Sequence, residues 1–510
     1  MTASLTFAAP ASAAASSGRT IITAAALLMS YMQAVNISIP NAALLYLQGT
    51  LSMADDEVGW VFTSYIAASA IFLPMTRWLA GCYGRKTVLQ FSIAIFAFGL
   101  VLDTLAVTPM QFVLARVVQG LASGPLVPLS LAILLDVQPP EHHPRISLAW
   151  SASLILGIST GPGIGGWLSE YHGWHSIFYL SLPVASFIVL VMALWLPEKT
   201  AEKNPPFDFF GLAAFTCSMI GLQTLLDRSE RVEWFDSAES WVEATLSLLG
   251  LYLYLEHVLN AKTHFLDKAL FKDRNFVLST VMYFVFGFVL LPTLALTSPM
   301  LDEILNYPAD TTGYMTAPRG ITLVGTLILM SFVPARFDQR LFVAGGMAIV
   351  VYANSLMLGY SPEMDWRLVA VAGALQGAGL GILLSALPKM AFTTLGPQLR
   401  PEGNTFFNLS RLYGSTIGVA VVQIFFFNNT QAMHLALAKD LTPYRAAAHA
   451  ATASSSLQHL AMMNETITGQ AAIVAVIDQF KVLMLAMLIV SPLVLFLRKP
   501  GPANSLGNRT

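Results

Sequence analysis

The sequence predicts an all-α integral membrane protein with about fourteen transmembrane helices, and three observations carry that prediction. Of 510 residues, 55% are hydrophobic and only 11% charged, against roughly 25% charged in ordinary soluble domains. Apolar stretches of about 20 residues, long enough to cross a bilayer, recur along nearly the whole chain. Lys and Arg collect in alternate connections between them. The same composition excludes other classes. A net charge of -2, with the few charges mainly in loops, argues neither for nucleic acid nor for an acidic ligand. Cys82 and Cys217 lie far apart in or beside apolar runs, so no disulfide or metal framework is expected.

Residues 1–19 are Ala/Ser-rich and lack the basic start of a cleavable signal peptide, so they read as a cytoplasmic tail. Candidate spans follow at 21–47, 58–79, 88–106, 110–136, 146–169 and 176–197, forming an N-terminal six-helix half over 20–198. A polar linker with Pro205 and Pro206 opens the segment 199–274, which carries two inserted spans at 209–226 and 241–260. A C-terminal six-helix half over 275–498 has spans at 276–301, 313–333, 341–359, 367–393, 404–428 and 479–498. It includes an irregular segment, 429–478, read as a periplasmic loop that forms either paired amphipathic helices or a flap. Residues 499–510 form a second tail. Arg77, Arg85, Lys86, Arg145, Lys199, Lys203, Lys262, Lys268, Lys272, Arg274, Arg336, Arg340, Arg498 and Lys499 all fall on one side of this arrangement. By the positive-inside rule both termini are expected in the cytoplasm.

Six motifs narrow the reading. GISTGPGIGGW, from Gly157 to Trp167, is Gly-rich and interrupted by Pro162 inside an apolar span. In water each interior Gly costs about 0.8–1 kcal/mol and an interior Pro about 3. In a membrane, neighbouring helices re-satisfy the freed backbone groups, and missing side chains allow close approach. LARVVQGLASGPLVPL (114–129) places Arg116, Gln119 and Gly120 within a span. An arginine there is expensive and must face a partner or water; one alternative to a functional role is a structural charge held by backbone carbonyls. RWLAGCYGRKTVL (77–89) puts Gly84, Arg85 and Lys86 after a turn. The remaining motifs are GWLSEYHGWHSIFYLSLP (166–183), MTAPRGITLVGTL (315–327) and EGNTFFNLSRLYGSTIGVAV (402–421).

Together these motifs resemble the fourteen-span drug:proton antiporters of the EmrB/QacA type in the major facilitator superfamily, and the resemblance covers about residues 20–498. It implies the major facilitator fold: two six-helix halves, built from inverted triplets and facing each other across a cavity, plus two inserted helices. It implies proton-driven efflux of lipophilic or amphipathic compounds from the bacterial inner membrane, with no cofactor beyond the proton gradient. Gly157, Gly161, Pro162, Gly165 and Gly166 would form the antiporter-motif hinge, Gly84, Arg85 and Lys86 the cytoplasmic gate, and Arg116 part of the proton coupling. Implied partners are the small-molecule substrate, membrane lipids, a periplasmic adaptor and an outer-membrane channel.

The chain also departs from the pattern. Where the first span of many such exporters carries an acid, YMQAVNISIP has Tyr31; Gly81 and Arg77 stand in the gate where Asp and Gly are common, and His175 follows Gly173-Trp174 where a basic residue is usual. Of the remaining acids near the membrane, Asp103 towards the end of span three is the expected proton carrier beside Arg116. Polar residues in apolar spans, Tyr31, Gln33, Asn36, Gln119, Arg319, Asn404, Asn408 and Arg411, are the expected substrate-cavity lining, although Asn and Gln also bond across helices as packing contacts. No nucleotide-binding loop or catalytic constellation is visible, so neither an ATP-driven pump nor an enzyme is expected. Proton-coupled uptake, and a scaffold or receptor that has lost transport, remain the other readings.

Overall fold

A computed structural model describes residues 11–54, 57–197, 207–228, 234–260, 267–333, 337–439 and 457–498. Among them there is no strand. The helices, in chain order, are α1 (Ala11–Ser38), α2 (Leu44–Leu51), α3 (Trp60–Phe72), α4 (Met75–Tyr83), α5 (Arg85–Leu105), α6 (Pro109–Val137), α7 (His143–His172), α8 (Ser176–Tyr179), α9 (Ser181–Trp195), α10 (Phe209–Arg228) and α11 (Ala238–Asn260). After them come α12 (Arg274–Pro299), α13 (Ala309–Ser331), α14 (Gln339–Met357), α15 (Trp366–Thr393), α16 (Arg400–Lys439) and α17 (Leu457–Val490).

Eleven described segments are long and apolar enough to cross a membrane. The other three expected spans fall on helices outside that set: α3 with α4, interrupted at Leu73 and Pro74, and the Gly- and Thr-containing α7 and α13, which pack along each other inside the bundle. Local sequence sets the boundaries. Pro40 ends α1 in a short 3-10 segment, and Gly84 at φ 83 turns the chain from α4 into α5, a conformation that strains any residue with a Cβ. Asp273 and Asp338 accept the first free amides of α12 and α14 at 2.9 and 3.1 Å.

Buried apolar side chains collect into two clusters. One gathers Met29, Phe96, Phe112 and Phe178 from the first six spans. The other gathers Phe276, Phe286, Phe407 and Phe480 from the last six. The inserted pair α10 and α11 pack on each other and lean on α3 and α16. Outside, Phe91, Phe98, Leu190, Leu248 and Leu329 are exposed, which in a lipid solvent is the expected state for a bundle's perimeter.

Of the two forms expected for the segment 429–478, paired helices or a flap, its described residues are helical, as extensions of the last two spans. Helix α16 continues to Lys439, and at 40 residues it is about 60 Å long, twice the apolar thickness of a bilayer. α17 begins at Leu457, and His434 meets Asn464 at 3.1 Å between the two extensions. Helical bonds satisfy the backbone in water as well as in lipid, so polar sequence did not end the helices. Residues 440–456, the tails 1–10 and 499–510, and most of the linker, 198–206, lie outside the described residues.

Candidate functional site: a buried arginine network beside the seam between two helix groups

Arg116 on α6 is fully buried, at 0% exposure. Its guanidinium donates from Nε to the Val61 carbonyl at 3.1 Å, from Nη2 to the Asn36 carbonyl at 3.1 Å and from Nη1 to Gln119 Oε1. Gln119 Nε2 donates to Asn36 Oδ1 at 3.4 Å, and Asn36 Nδ2 donates to Ser181 Oγ at 2.9 Å. The Tyr65 ring lies 4.4 Å from the guanidinium carbon, close enough for a cation–π contact, and Gln33 Nε2 reaches the Tyr65 hydroxyl at 3.5 Å. One side chain thus ties α1, α3 and α6 together. Gln33, Asn36 and Gln119 are spent on this network, within the first helix group.

Asp103 on α5 is also at 0% exposure, and neither carboxylate oxygen has a hydrogen-bond partner. Arg116 is the charge that acts on it, although the two form no ion pair. A buried carboxyl without donors, near a buried arginine whose three nitrogens each donate to a carbonyl or an amide, has two possible partners: a proton, or that arginine.

The glycines of α7 pack against α1. A Cβ at Gly157 would lie 2.5 Å from the Tyr31 carbonyl oxygen, one at Gly161 2.1 Å from Ser38 Oγ, and one at Gly165 2.4 Å from the Ile39 carbonyl oxygen. Their spacing of four residues keeps them on one helix face. Pro162 and Gly166 are buried beside them. Tyr31, which stands where the resemblance expects an acid, bonds to Thr160 of α7 at 2.9 Å.

The opposite face of α7 meets α13. A Cβ at Gly313 would lie 2.8 Å from Gly163 Cα, and one at Gly320 2.1 Å from Ser159 Cβ. Further seam contacts lie at the end away from the described termini. Asn41 Nδ2 donates to the Leu294 carbonyl and to Ser298 Oγ, both at 2.9 Å, and Gly59 abuts Gln423. A small cleft beside Asn41 is lined by Ile37, Phe62, Ile66, Leu291 and Leu294. Towards the other end, Trp150 is half-buried, Asn404 is exposed, and Asn408 and Arg411 are half-buried along one face of α16. Beside them Tyr283 and Phe407 stack with ring centroids 4.0 Å apart. The seam is sealed at the far end and keeps polar side chains accessible at the end of the termini.

At that near end Arg85 pairs with Asp136 of α6, and Lys86 donates to the Ala193 carbonyl at 2.9 Å. Both contacts stay within the first helix group; the contact across the seam there is Arg77 with Glu402 at 4.0 Å. Arg319 lies in the second group at 6% exposure, donating to the Leu290 carbonyl at 2.7 Å. Beyond the spans, burial against Trp174, whose ring centroid is 3.7 Å away, pushes the His175 imidazole below its ordinary value.

Sequence reasoning missed Tyr65 and Asn41 as members of these networks. Helical spacing alone gave no sign of which polar residues on separate spans meet.

The fold now has an independent comparison: the Major Facilitator Superfamily profile matches residues 23–419. The chain belongs to that superfamily. The fatty acid resistance protein FarB of Neisseria gonorrhoeae is 27% identical over 486 residues, covering 93% of this chain and 94% of FarB. The multidrug export protein EmrB of Escherichia coli strain K12 is 26% identical over 453 residues, 88% of either chain. Among solved structures, a bacterial homologue of the human lysosomal transporter Spinster, in an inward-facing and unoccupied conformation, superposes with a TM-score of 0.63 at 13% identity, covering 94% of this chain and 98% of that one. A mutant form of the nucleoside transporter NupG gives 0.60 at 13% identity, with 93% and 99% coverage. These structural likenesses concern the fold.

Proposed function

We propose that this superfamily member is a proton-driven exporter of lipophilic or amphipathic small molecules, with both termini in the cytoplasm of a bacterial inner membrane. The observation that carries the reading is the placement of Asp103 near the Arg116 network: a buried acid without donors close to a buried cation that has other acceptors. Named export and resistance functions among relatives spanning most of both chains support it. With the termini in the cytoplasm, the sealed far end makes the present conformation inward-facing. The accessible stripe of Asn404, Asn408 and Arg411, with the Tyr283–Phe407 stack, is then the surface offered to a compound entering from the cytoplasm or inner leaflet.

In the cycle we propose, Asp103 holds a proton while Arg116 is held by Val61, Asn36 and Gln119. When the helices shift and Arg116 turns towards Asp103, the proton leaves, so charge movement in one group is tied to closure of the seam. Rocking of one group against the other then exposes the substrate stripe to the opposite side. A periplasmic adaptor and outer-membrane channel are the partners such an exporter would need to clear a second membrane.

The test uses purified protein in liposomes with an interior pH dye and a panel of lipophilic cations, neutral compounds and aromatic acids. Compound-triggered proton movement is expected for at least one class. In Asp103→Asn that movement should vanish while exchange of labelled compound across the membrane continues, because the seam and stripe are untouched. Proton movement persisting in Asp103→Asn would remove Asp103 from the mechanism. Compound movement insensitive to any imposed pH gradient would remove proton coupling altogether.

A further inference from the structure

The two helix groups contain a concealed repeat, and its second copy has an unbalanced charge. Gln119, Gly120 and Gly124 on α6 match Gln376, Gly377 and Gly381 on α15 in order and spacing. Their packing matches too. Cβ atoms at Gly120 and Gly124 would lie 2.3 and 2.7 Å from the carbonyl oxygens of Tyr65 and Ser69 on α3; those at Gly377 and Gly381 would lie 2.0 and 2.5 Å from the carbonyl oxygens of Arg319 and Leu323 on α13. Arg319 therefore occupies the place of Tyr65. Gly373 occupies the place of Arg116, and a Cβ there would lie 3.5 Å from Arg319 Cβ. The buried cation survives in the second copy but is delivered from the neighbouring helix.

Its acid does not survive. Arg116 has Asp103 near it, whereas the titratable neighbour acting on Arg319 is the Tyr360 hydroxyl. Among the described residues no carboxylate pairs with Arg319. Gln376 Nε2 donates to Asn354 Oδ1 at 2.8 Å and to Thr293 Oγ1 at 3.2 Å, one turn of α12 from the Leu290 carbonyl that Arg319 holds. The cluster is left with buried atoms that have no partner: Arg319 Nη1, Asn354 Nδ2, the Tyr360 hydroxyl and Gln376 Oε1. Three of the four can donate, and a buried cation without an acid is costly. What completes such a set is an acceptor-rich anion, and a carboxylate satisfies two donors at once through its two oxygens.

We propose that the Arg319–Gln376–Asn354–Tyr360 cluster is a carboxylate-binding site that selects acidic amphipathic substrates. The assignment rests on the exporter reading for its biological role, although binding itself does not need it. Access follows from the seam. Gly320, next to Arg319, packs on Ser159 across it, and Leu291 and Leu294, beside the carbonyl that Arg319 holds, line the cleft. Parting of the groups there uncovers the flank of α13.

The experiment compares decanoate, decanamide and acetate on purified full-length protein, first by calorimetric binding in detergent and then by transport in liposomes. The wild type is expected to prefer decanoate over decanamide. Arg319→Gln should reduce that preference at least about tenfold, equivalent to about 1.4 kcal/mol, and Arg319→Lys should restore part of it by returning the charge. Tyr360→Phe, which removes only a hydroxyl, serves as the milder variant should Arg319→Gln fail to fold, and should shift the preference in the same direction. Arg319-dependent binding of acetate that decanoate does not displace would keep the carboxylate site but assign it to a free small anion. Equal loss of decanoate and decanamide binding, or a wild type indifferent to the carboxylate, would overturn the inference. Arg319-dependent decanoate binding without transport of any compound would sustain the site and defeat the exporter reading; transport of neutral compounds with no carboxylate preference would do the reverse.

Discussion

Arg116→Ala is expected to abolish coupled transport, with initial rates in liposomes falling at least about 100-fold, or about 2.7 kcal/mol in barrier terms. The substitution leaves the Val61 and Asn36 carbonyls and Gln119 Oε1 without their donor in a dry interior, and each buried group left unmade costs about 1–3 kcal/mol. It also takes the cation from the Tyr65 ring and from the vicinity of Asp103. Arg116→Lys separates charge from geometry. An ammonium keeps the charge but cannot reach two carbonyls and an amide as a planar fork does, so it should fold better than Arg116→Ala and still couple poorly. Wild-type proton-linked transport in Arg116→Ala would reduce the network to packing.

The second large effect is expected on the α1–α7 contact. Gly157→Val and Gly165→Val each put a first carbon within 2.5 Å of a backbone oxygen of α1 or of the turn that follows it, where no side chain can swing aside. Overpacking of this kind costs about 1–3 kcal/mol, and here it pushes α7 away from α1 and towards the α13 seam. Transport at matched protein incorporation should fall more than about tenfold, the equivalent of about 1.4 kcal/mol. Gly163→Ala is the contrast: a Cβ there meets nothing within 4 Å, so activity should stay close to wild type. If all three variants behaved alike, glycine content rather than close approach would govern the helix. In the structure the stripe Gly157, Gly161 and Gly165 is a packing face for α1 and the turn that follows it.

Much of this was legible in the chain. Hydrophobic length and alternate basic loops count spans whatever their arrangement, because each helix satisfies its own backbone and is placed in lipid one at a time. For the same reason Arg116 declared itself: a charge inside a span is anomalous without knowledge of its partners. Helix ends in water were less legible, since α16 and α17 continue where apolar sequence stops.

Sequence by itself therefore determined the solvent, the all-helical class, and the motifs that join the chain to its superfamily. Tertiary structure decided what the polar residues do. Gln33, Asn36 and Gln119 are alike in sequence to Asn404 and Asn408, yet the first three close a network around Arg116 and the others remain accessible along the seam. Packing left Asp103, expected from the sequence beside Arg116, without a hydrogen-bond donor, and only packing set Arg319 on α13 in the place of an aromatic ring in the first helix group. The physical reason is that a polar atom in a membrane interior must find its partner on another helix, and which atoms meet depends on helix rotation and depth, quantities that the order of residues along one span does not contain.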